Sequence, residues 1–280
     1  MTGWAGLHRG ASPTENGAFC EYTTGGKFMD TINQNRRFMH CPSFFEGMKE
    51  SDQAKKIPAP AFGKPIVGEV IKLPSFEGLT TATYVDLLDS RRSKRDYTDT
   101  PMTQEQLAFM LWSTQGIQYT RKDVATFRPV PSGGARHPFE TYIAVKNVEG
   151  LKAGMYHYLP TENIGEKLVT IEYLGEIDDY DKKITSALAG QAWATTAPII
   201  MFTTCIPYKA EWRYHEMSHR VMLIDLGHLG QNAMLSAVAL GLGSCCMAAY
   251  VQVECDELLG LKDLDEYTVY AVSVGTPKES

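Results

Sequence analysis

The sequence predicts an α+β fold, and three observations lead to this prediction. Segments with strand and helix patterns follow one another without the regular alternation of a doubly wound α/β chain. Hydrophobic residues make up 44% of the 280 residues, which is enough for a sizeable core in one or two domains. Glycine and proline occur in ordinary amounts, unlike the composition of collagen-like or disordered chains. We therefore expect a globular mixture of helices and strands.

Net charge and hydropathy narrow the classes of function. The formal net charge is −6, so a general nucleic-acid-binding role, which needs a basic face, is not expected. We find no apolar run of about 18 residues and no secretory-signal pattern, so we expect a cytoplasmic protein that does not cross a membrane. The six cysteines form no Cys-x-x-Cys pair, and we expect reduced thiols and no metal.

Residues 1–78 differ from the rest of the chain. They are rich in glycine, proline and single aromatic residues, and they show weak periodicity. We interpret residues 1–78 as a largely irregular N-terminal extension that wraps the core or a partner subunit. Residues 79–280 would then form the functional domain.

The elements of 79–280 are predicted in order from periodicity and stop signals. A helix over 83–93 places its apolar residues on one face, and a second helix begins after Thr103 and ends at Gly116. A long helix is expected from about Ala210 to Leu240, with a second half so apolar that it must be buried in a core or a dimer interface. The remaining elements are strands over 139–145, 155–159, 168–174, 197–205, 244–251 and 267–275 and a short helix over 254–260.

Four cations surround Ser93 in the segment RRSKR (91–95), the densest basic cluster of an acidic chain. Arginine can bind phosphate oxygens in a bidentate manner, and a hydroxyl adds another hydrogen bond. The cluster therefore suits a dianionic ligand phosphate. The alternative is a solvated basic patch at a helix C-terminus.

Two glycine-containing segments could admit a ligand close to the backbone. PSGGARHP (131–138) precedes a predicted strand, and its two glycines permit close approach of an anion or a ring edge. GLGSCCMAA (241–249) ends the long helix, and its small residues leave room for a flat ligand. An ordinary loop and a helix end leading into a buried strand are the alternatives. The glycine fingerprints of Rossmann and P-loop nucleotide sites do not occur.

These segments, in this order, resemble the nitroreductase superfamily and, more closely, its SagB/ThcOx-type dehydrogenase branch. The resemblance implies an α+β sandwich, with an antiparallel-rich mixed sheet flanked by helices. It also implies an obligate homodimer in which both subunits contribute to the site, with one FMN per site. The matching segments are RRSKRDY (91–97), LWSTQGI (111–117), RPVPSGGARHPFETYIAV (128–145), AGMYHYLP (153–160), DLGHLGQNAMLSAVALGLGSCCMAAY (225–250) and VYAVSVGTPK (269–278).

The resemblance further implies which residues hold the FMN. Arg91, Arg92 and Ser93 would contact the phosphate and ribityl chain. Arg95 would lie near the N1–C2=O edge, where a cation stabilises the anionic reduced flavin. The other expected contacts are Pro131, Ser132, Gly133, Gly134 and Arg136 from the other subunit, Cys246, Met247 and Ala248 at one flavin face, and Lys278.

Three positions depart from the family pattern. Ala135 stands where many members carry an asparagine that holds the flavin, and Lys278 is the one candidate for a C-terminal basic residue at the phosphate. Azoline-oxidising members use a Lys-Tyr pair where this chain has Arg213-Tyr214. Arginine stays protonated and is a poor base, which puts azoline dehydrogenation in question. We expect Arg213 to position charge, with Tyr214 and then His215 as candidates for a substrate-facing acid.

A rival interpretation comes from HEMSH (215–219). On one helix, His215 and His219 would share a face as zinc ligands, with Glu216 as general base of a metallopeptidase and Asp225 as a further ligand. Arg220 beside the second histidine counts against a cation site. So does Met222, because the extended zinc motif requires glycine at that position.

The combined prediction is an FMN-dependent oxidoreductase with ping-pong hydride transfer through flavin N5. The substrate would be a small organic molecule or a peptide, and NAD(P)H is a candidate donor. The zinc metallopeptidase is one alternative. Another is a non-catalytic FMN-binding subunit of a peptide-modifying complex, docked through the N-terminal extension.

Overall fold

The computed structural model describes residues 26–39 and 47–278. Contacts divide the chain into two units, Met1–Ser43 and Phe44–Ser280. In the first unit the described part is helix α1, Gly26–Met39. The expectations for Cys20 and Cys41 lie outside the described residues.

A seven-stranded sheet organises the second unit. Its strands lie in the order β1-β6-β5-β4-β7-β9-β8, and every neighbouring pair is antiparallel. A separate two-stranded hairpin is formed by β2 and β3. The strands are β1 (Glu69–Leu73), β2 (Tyr119–Arg121), β3 (Ala125–Phe127), β4 (Phe139–Val145), β5 (Gly154–Tyr158), β6 (Val169–Gly175), β7 (Ile199–Cys205), β8 (Gly243–Met247) and β9 (Tyr267–Gly275).

Helices cover both faces of the sheet, which confirms the predicted α+β class. Alternate residues of β7 enter two different cores: Ile199 and Met201 pack in the core that includes α3 and α6, whereas Ile200 and Phe202 pack in the core that includes α4 and α7. Every residue of β7 is therefore buried, as its apolar sequence predicts. The helices are α2 (Tyr84–Ser90), α3 (Gln104–Gln115), α4 (Tyr180–Ala187), α5 (Tyr208–Tyr214), α6 (Ser218–Ala239) and α7 (Gln252–Leu258).

Helix α3 begins and ends where its sequence predicts. The Thr103 side chain accepts from the backbone N–H of Gln106, and the Gln106 side chain accepts from the backbone N–H of Thr103, which makes a complete capping box. The N–H of Gly116 donates to Trp112 O at 2.8 Å and closes the last turn. Leu107, Met110 and other residues of the predicted inner face are buried.

The long helix predicted from Ala210 to Leu240 is wrong as a single helix. Helix α5 ends at Tyr214, a 3-10 turn spans His215–Met217, and α6 begins at Ser218. The reason is the backbone of His215, whose φ of +49° cannot continue a right-handed helix. Part of α6 also faces outward, since Leu223 is 56% and Ile224 54% exposed.

Two further boundaries differ from the predictions. The strand expected over 244–251 stops at Met247. Residues 69–73, expected to be irregular, form the edge strand β1, which pairs with β6 from Glu69 opposite Tyr173 to Leu73 opposite Val169. Within the described ranges, no helix has the length and apolar character needed to span a membrane.

Candidate active site

The basic segment 91–95 runs alongside strand β8. Ser93 forms a parallel bridge with Ser244, and the N–H of Lys94 donates to Ser244 O at 3.0 Å. Gly243 permits this approach, because a Cβ atom there would lie 2.8 Å from the Cβ of Lys94. The segment predicted to bind phosphate and the segment predicted to flank a flat ligand are thus neighbours.

The chain on the other side of this basic segment is fixed by Tyr97 and by the residues after β9. The buried hydroxyl of Tyr97 donates to Lys94 O at 2.7 Å and lies 2.8 Å from Ser273 Oγ. Burial raises the pKa of Tyr97, so this hydroxyl keeps its proton. The side chain of Lys278 is exposed and forms an ion pair with Asp96 at 2.9 Å, close to the predicted phosphate cluster.

Positive charge on the segment is not neutralised by the protein. In the described part of the chain, none of Arg91, Arg92, Lys94 and Arg95 belongs to an ion pair. Arg92 Nη1 donates to the carbonyl oxygens of Asp89 and Arg91, at 3.0 and 2.8 Å, at the end of α2. Arg95 lies 5.9 Å from the ring of Trp193. A ligand phosphate would find four cations available.

The thiols beside this cluster are protonated. Burial raises the pKa of Cys245, and the positive charge of Arg95 opposes the shift. Burial likewise raises the pKa of Cys246 to about 11. Cys246 Sγ approaches Gly230 O of α6 at 3.7 Å. Beyond Met247 the chain leaves the sheet, and Ala248 is exposed.

The second predicted segment, the loop 131–137, is fastened to α6 by one carboxylate. Ser132 Oγ donates to Asp225 Oδ2 at 2.6 Å, and the N–H of Gly133 donates to both oxygens of Asp225, at 3.0 and 3.1 Å. Burial raises the pKa of Asp225, and these hydrogen bonds oppose the shift. The sequence suggested Asp225 only as a zinc ligand, so its role in positioning the loop was missed.

The loop has an unusual backbone at the place where it meets Arg213 and Tyr214. Gly134 has a φ of +59°, and Ala135 has a φ of +53°, which is uncommon for a residue with a side chain. A Cβ atom on Gly134 would lie 2.5 Å from Arg213 Nε and 2.7 Å from Tyr214 Oη. The predicted loop and two of the predicted catalytic residues are therefore in contact. The third, His215, is exposed in the turn between α5 and α6.

Arg136 and His137 anchor the end of the loop. Arg136 is buried, donates from Nε to Lys209 O at 2.7 Å and from Nη1 to Val124 O, and lies 4.6 Å from the ring of Trp212. Burial lowers the pKa of Arg136 to about 10. Burial, reinforced by the positive charge of Arg128, lowers the pKa of His137 to about 2, so the imidazole is neutral.

The zinc interpretation of HEMSH is not supported. His215 and Glu216 lie in the 3-10 turn, whereas His219 lies in α6, so the two histidines do not share one helix face. His219 Nε2 is 3.3 Å from Glu211 Oε1, and Asp225 holds the loop. Among the residues that the structure describes, no group of three or more His, Cys, Asp and Glu side chains could hold a metal ion.

A buried charge cluster between the strands was not predicted. His157 lies between Glu140 Oε2 at 3.2 Å and Glu172 Oε1 at 3.0 Å, and Lys209 Nζ donates to Glu140 Oε1 at 2.5 Å. Burial alone would raise the pKa of Glu140, but the Lys209 ammonium and His157 outweigh it and hold the pKa at about 2. The sequence feature that could have predicted this cluster is the occurrence of isolated polar residues in otherwise apolar strands.

Known proteins resemble this chain over the region that carries the site. The family model of the Nitroreductase family matches residues 88–276. A nitroreductase-type protein of Methanocaldococcus jannaschii is 30% identical over 205 residues, covering 73% of this chain and 95% of that protein.

Two proteins named for processing steps also match. The trifolitoxin-processing protein TfxB of Rhizobium leguminosarum is 35% identical over 41% of this chain, and the microcin B17-processing protein McbC of Escherichia coli is 31% identical over 44%. These alignments span 30% and 44% of the two relatives.

Solved structures share the fold. A nitroreductase-type structure from Ralstonia eutropha has a TM-score of 0.61 at 20% identity and covers 80% of this chain and 95% of its own. A chain of the Escherichia coli microcin synthetase McbBCD complex has a TM-score of 0.53 at 17% identity and covers 91% of this chain and 95% of its own.

Proposed function

Because the chain belongs to the nitroreductase family, in its SagB-type branch, we propose that it is an FMN-dependent oxidoreductase. Donor and acceptor would use one site in turn, in a ping-pong cycle. The observation that carries the proposal is the contact between the basic segment 91–95 and strand β8. It brings together unpaired cations and a small-residue strand, as a flavin phosphate and an adjoining ring require.

The residues present fit FMN. Arg91, Arg92 and Ser93 would hold the phosphate and ribityl chain, and Arg95 would lie at the pyrimidine edge. The fit rests on charge, because these cations have no carboxylate partner among the described residues, and a phosphate dianion would supply one. Cys246, Met247 and the exposed Ala248 would flank the ring.

FMN would supply hydride acceptance and donation at N5. The protein would supply a positive charge from Arg95, which favours the reduced, anionic form of the cofactor. Tyr214, whose hydroxyl lies beside Gly134, would donate a proton to the substrate. Arg213 would stabilise negative charge without removing a proton, since a guanidinium stays protonated. This assignment argues against an azoline dehydrogenase that needs a lysine base.

We also propose that the active form is a homodimer. Helix α2 buries none of its residues, and Tyr84 and Val85 are 66% and 73% exposed. The exposed Leu223 and Ile224 of α6 extend the apolar surface. A second copy would cover this surface and bring its own loop 131–136 to the flavin, including Pro131, Ser132, Gly133, Gly134 and Arg136.

The substrate is proposed to be a small organic molecule or a peptide, with NAD(P)H as candidate donor. The likeness to TfxB and McbC, which are named for processing trifolitoxin and microcin B17, supports a substrate of the peptide kind. Because one structural relative belongs to the McbBCD complex, a subunit that binds FMN without turnover is the second candidate. Bleaching of the flavin by NADH or NADPH, followed by reoxidation by an organic acceptor, would exclude it.

Absorbance of the purified protein tests the proposal first. Bound FMN should give bands at about 370 and about 450 nm and a released-flavin ratio of about one per subunit, as the cofactor carries the redox chemistry. Replacing Arg95 with glutamine should weaken FMN binding by about tenfold or more, because a charge-assisted hydrogen bond is lost. Lys262→Gln, which removes an exposed charge elsewhere, is the matched control. A protein that takes up no FMN at all refutes the proposal.

A further inference from the structure

A cleft of about 780 Å³ lies between the loop 131–137, the β2–β3 hairpin and α5. A cleft of this size accommodates a small-molecule ligand. Among the residues that the structure describes, no aspartate or glutamate lines it, although the chain as a whole has an excess of acidic residues. Five basic side chains line it: Arg121, Lys122, Arg128, Arg136 and Arg213.

These five cations are not neutralised by the protein. Across residues 26–39 and 47–278, none of them forms an ion pair. The hydrogen bonds of the buried Arg128 go to the uncharged oxygens of Gln115 and Thr126, at 2.8 and 3.3 Å. Arg213 Nη1 donates to Gln53 Oε1 at 2.9 Å. Arg136 donates to main-chain carbonyl oxygens. Uncharged acceptors complete the hydrogen bonds of these guanidinium groups but do not neutralise their positive charge.

The remaining surroundings increase this excess of charge. Arg213 Nε is buried and has no hydrogen-bond partner among the described residues, so one donor on the cleft wall is unused. Glu140 acts electrostatically on Arg128, but it is already paired with Lys209 and His157. Burying cations without counter-charge costs free energy unless a ligand supplies the charge.

We propose that this cleft binds the phosphate groups of a small phosphorylated ligand. A single carboxylate would neutralise one of five charges, whereas a pyrophosphate or phosphate ester carries two or more and matches arginine in a bidentate manner. Arg121 and Lys122 are exposed at the rim and would attract the anion. Arg128 lies deeper. This cleft does not include the basic segment 91–95 that we assign to the FMN phosphate. Its loop residues Pro131, Ser132, Gly134 and Arg136 are the ones proposed to reach the flavin of a second copy, so the ligand would lie beside that flavin.

The role of the bound ligand rests on the proposed function. Gly134, Arg213 and the loop 131–137 line the cleft and contact Tyr214. A ligand held there by its phosphates would place its other end beside the proposed proton donor. The ligand would then be either a dinucleotide donor or a phosphorylated acceptor, and the two share the same phosphate chemistry.

Calorimetric titration of the full FMN-loaded chain with inorganic pyrophosphate tests the site. The rim variant Arg121→Gln/Lys122→Gln should bind pyrophosphate about tenfold more weakly, the loss expected for at least one charge-assisted contact. Lys182→Gln/Lys183→Gln removes two neighbouring exposed charges on α4 and should leave binding unchanged. Added salt should weaken wild-type binding because the contacts are ionic.

Each outcome decides the proposal. No saturable binding, or equal binding by the rim variant, the control and the wild type, overturns it. Tighter binding of NADPH than of pyrophosphate identifies a dinucleotide as the source of the phosphate. Tighter binding of glycerol 3-phosphate identifies a phosphorylated acceptor. The flavin absorbance is read on the same samples. Rim-dependent pyrophosphate binding by a protein that takes up no FMN would support the site and refute the proposed function.

Discussion

Replacing Gly134 with alanine should push Arg213 and Tyr214 away from the loop. The new Cβ would lie 2.5 Å from Arg213 Nε and 2.7 Å from Tyr214 Oη, whereas non-bonded carbon atoms prefer about 3.5–4.0 Å. Both side chains must therefore move by about 1 Å, and a displacement of that size can reduce turnover by about 10²-fold. The φ of +59° adds strain to any side chain at this position.

The size of the stability loss follows from two contributions. The left-handed backbone costs an alanine about 1–2 kcal/mol, and the forced displacement costs about 1–3 kcal/mol. Gly190→Ala is the matched control, because Gly190 has a φ of +82° and nothing within 4 Å of the added Cβ. Guanidinium unfolding should therefore show a loss of about 2–5 kcal/mol for Gly134→Ala and about 1–2 kcal/mol for the control.

Turnover distinguishes the active-site effect from the stability effect. The control should keep wild-type kcat for flavin reoxidation, whereas Gly134→Ala should lose most of it. Because Gly134 is itself a proposed flavin contact, kcat is compared on samples whose released-flavin ratio shows equal FMN occupancy. Equal stability losses and equal kcat in the two variants would show that the pair Arg213–Tyr214 does not contact the loop as described, and the reasoning would be refuted.

Two further predictions concern charge and assembly. The pKa of His137 is about 2 in the folded protein, against the ordinary histidine value of 6.5, so the unfolded chain binds the extra proton and folding stability falls as pH drops below 6.5. Chemical denaturation between about pH 6 and pH 5 should lose about 1.4 kcal/mol per pH unit more in the wild type than in His137→Gln, and parallel slopes would contradict the buried neutral imidazole. Ile224→Glu should convert the proposed homodimer to a monomer in sedimentation velocity, because it places a charge in an apolar interface; Glu257→Gln on α7 is the surface control, and an unchanged dimer would exclude α6 from the interface.

The helices and strands predicted correctly are those with local signals. Helix α3 has Thr103 with Gln106 at its start and Gly116 at its end, and these residues act through neighbours in sequence. Strand β7 is apolar throughout because helices cover both sheet faces. In both cases the information lies within a few residues of the element.

The errors arise where distant contacts decide the backbone. Nothing in the sequence between α5 and α6 is a helix breaker, yet His215 takes a positive φ. Strand β1 carries Glu69 and Lys72 and is largely exposed, so its pattern is not that of a buried strand, and pairing with β6 determines it. The local sequence predicts neither the positive φ of His215 nor the pairing of β1 with β6.

The candidate site shows the same division. Segment 91–95 and the small-residue segment that contains β8 were both predicted from the local sequence, but their contact through Ser93 and Ser244 is tertiary. The sequence suggested Asp225 only as a possible further zinc ligand. Its function in holding Ser132 and Gly133 depends on a loop about 90 residues away in the chain, and such long-range pairs have no local signal.

The buried Glu172 has a consequence for where the folded unit begins. Its Oε2 accepts the backbone N–H groups of Val67 and Gly68, each at 2.6 Å, and Lys209 Nζ donates to Phe62 O at 2.9 Å. A chain trimmed to the family-matched residues 88–276 would lose these partners and would also expose the pairing edge of β6. A buried carboxylate that has lost both main-chain donors to one of its oxygens and an open sheet edge favour aggregation over folding. The folded unit therefore begins before residue 88, where the family match begins. Residues 62–73 are an integral part of this unit, although their sequence pattern does not indicate it.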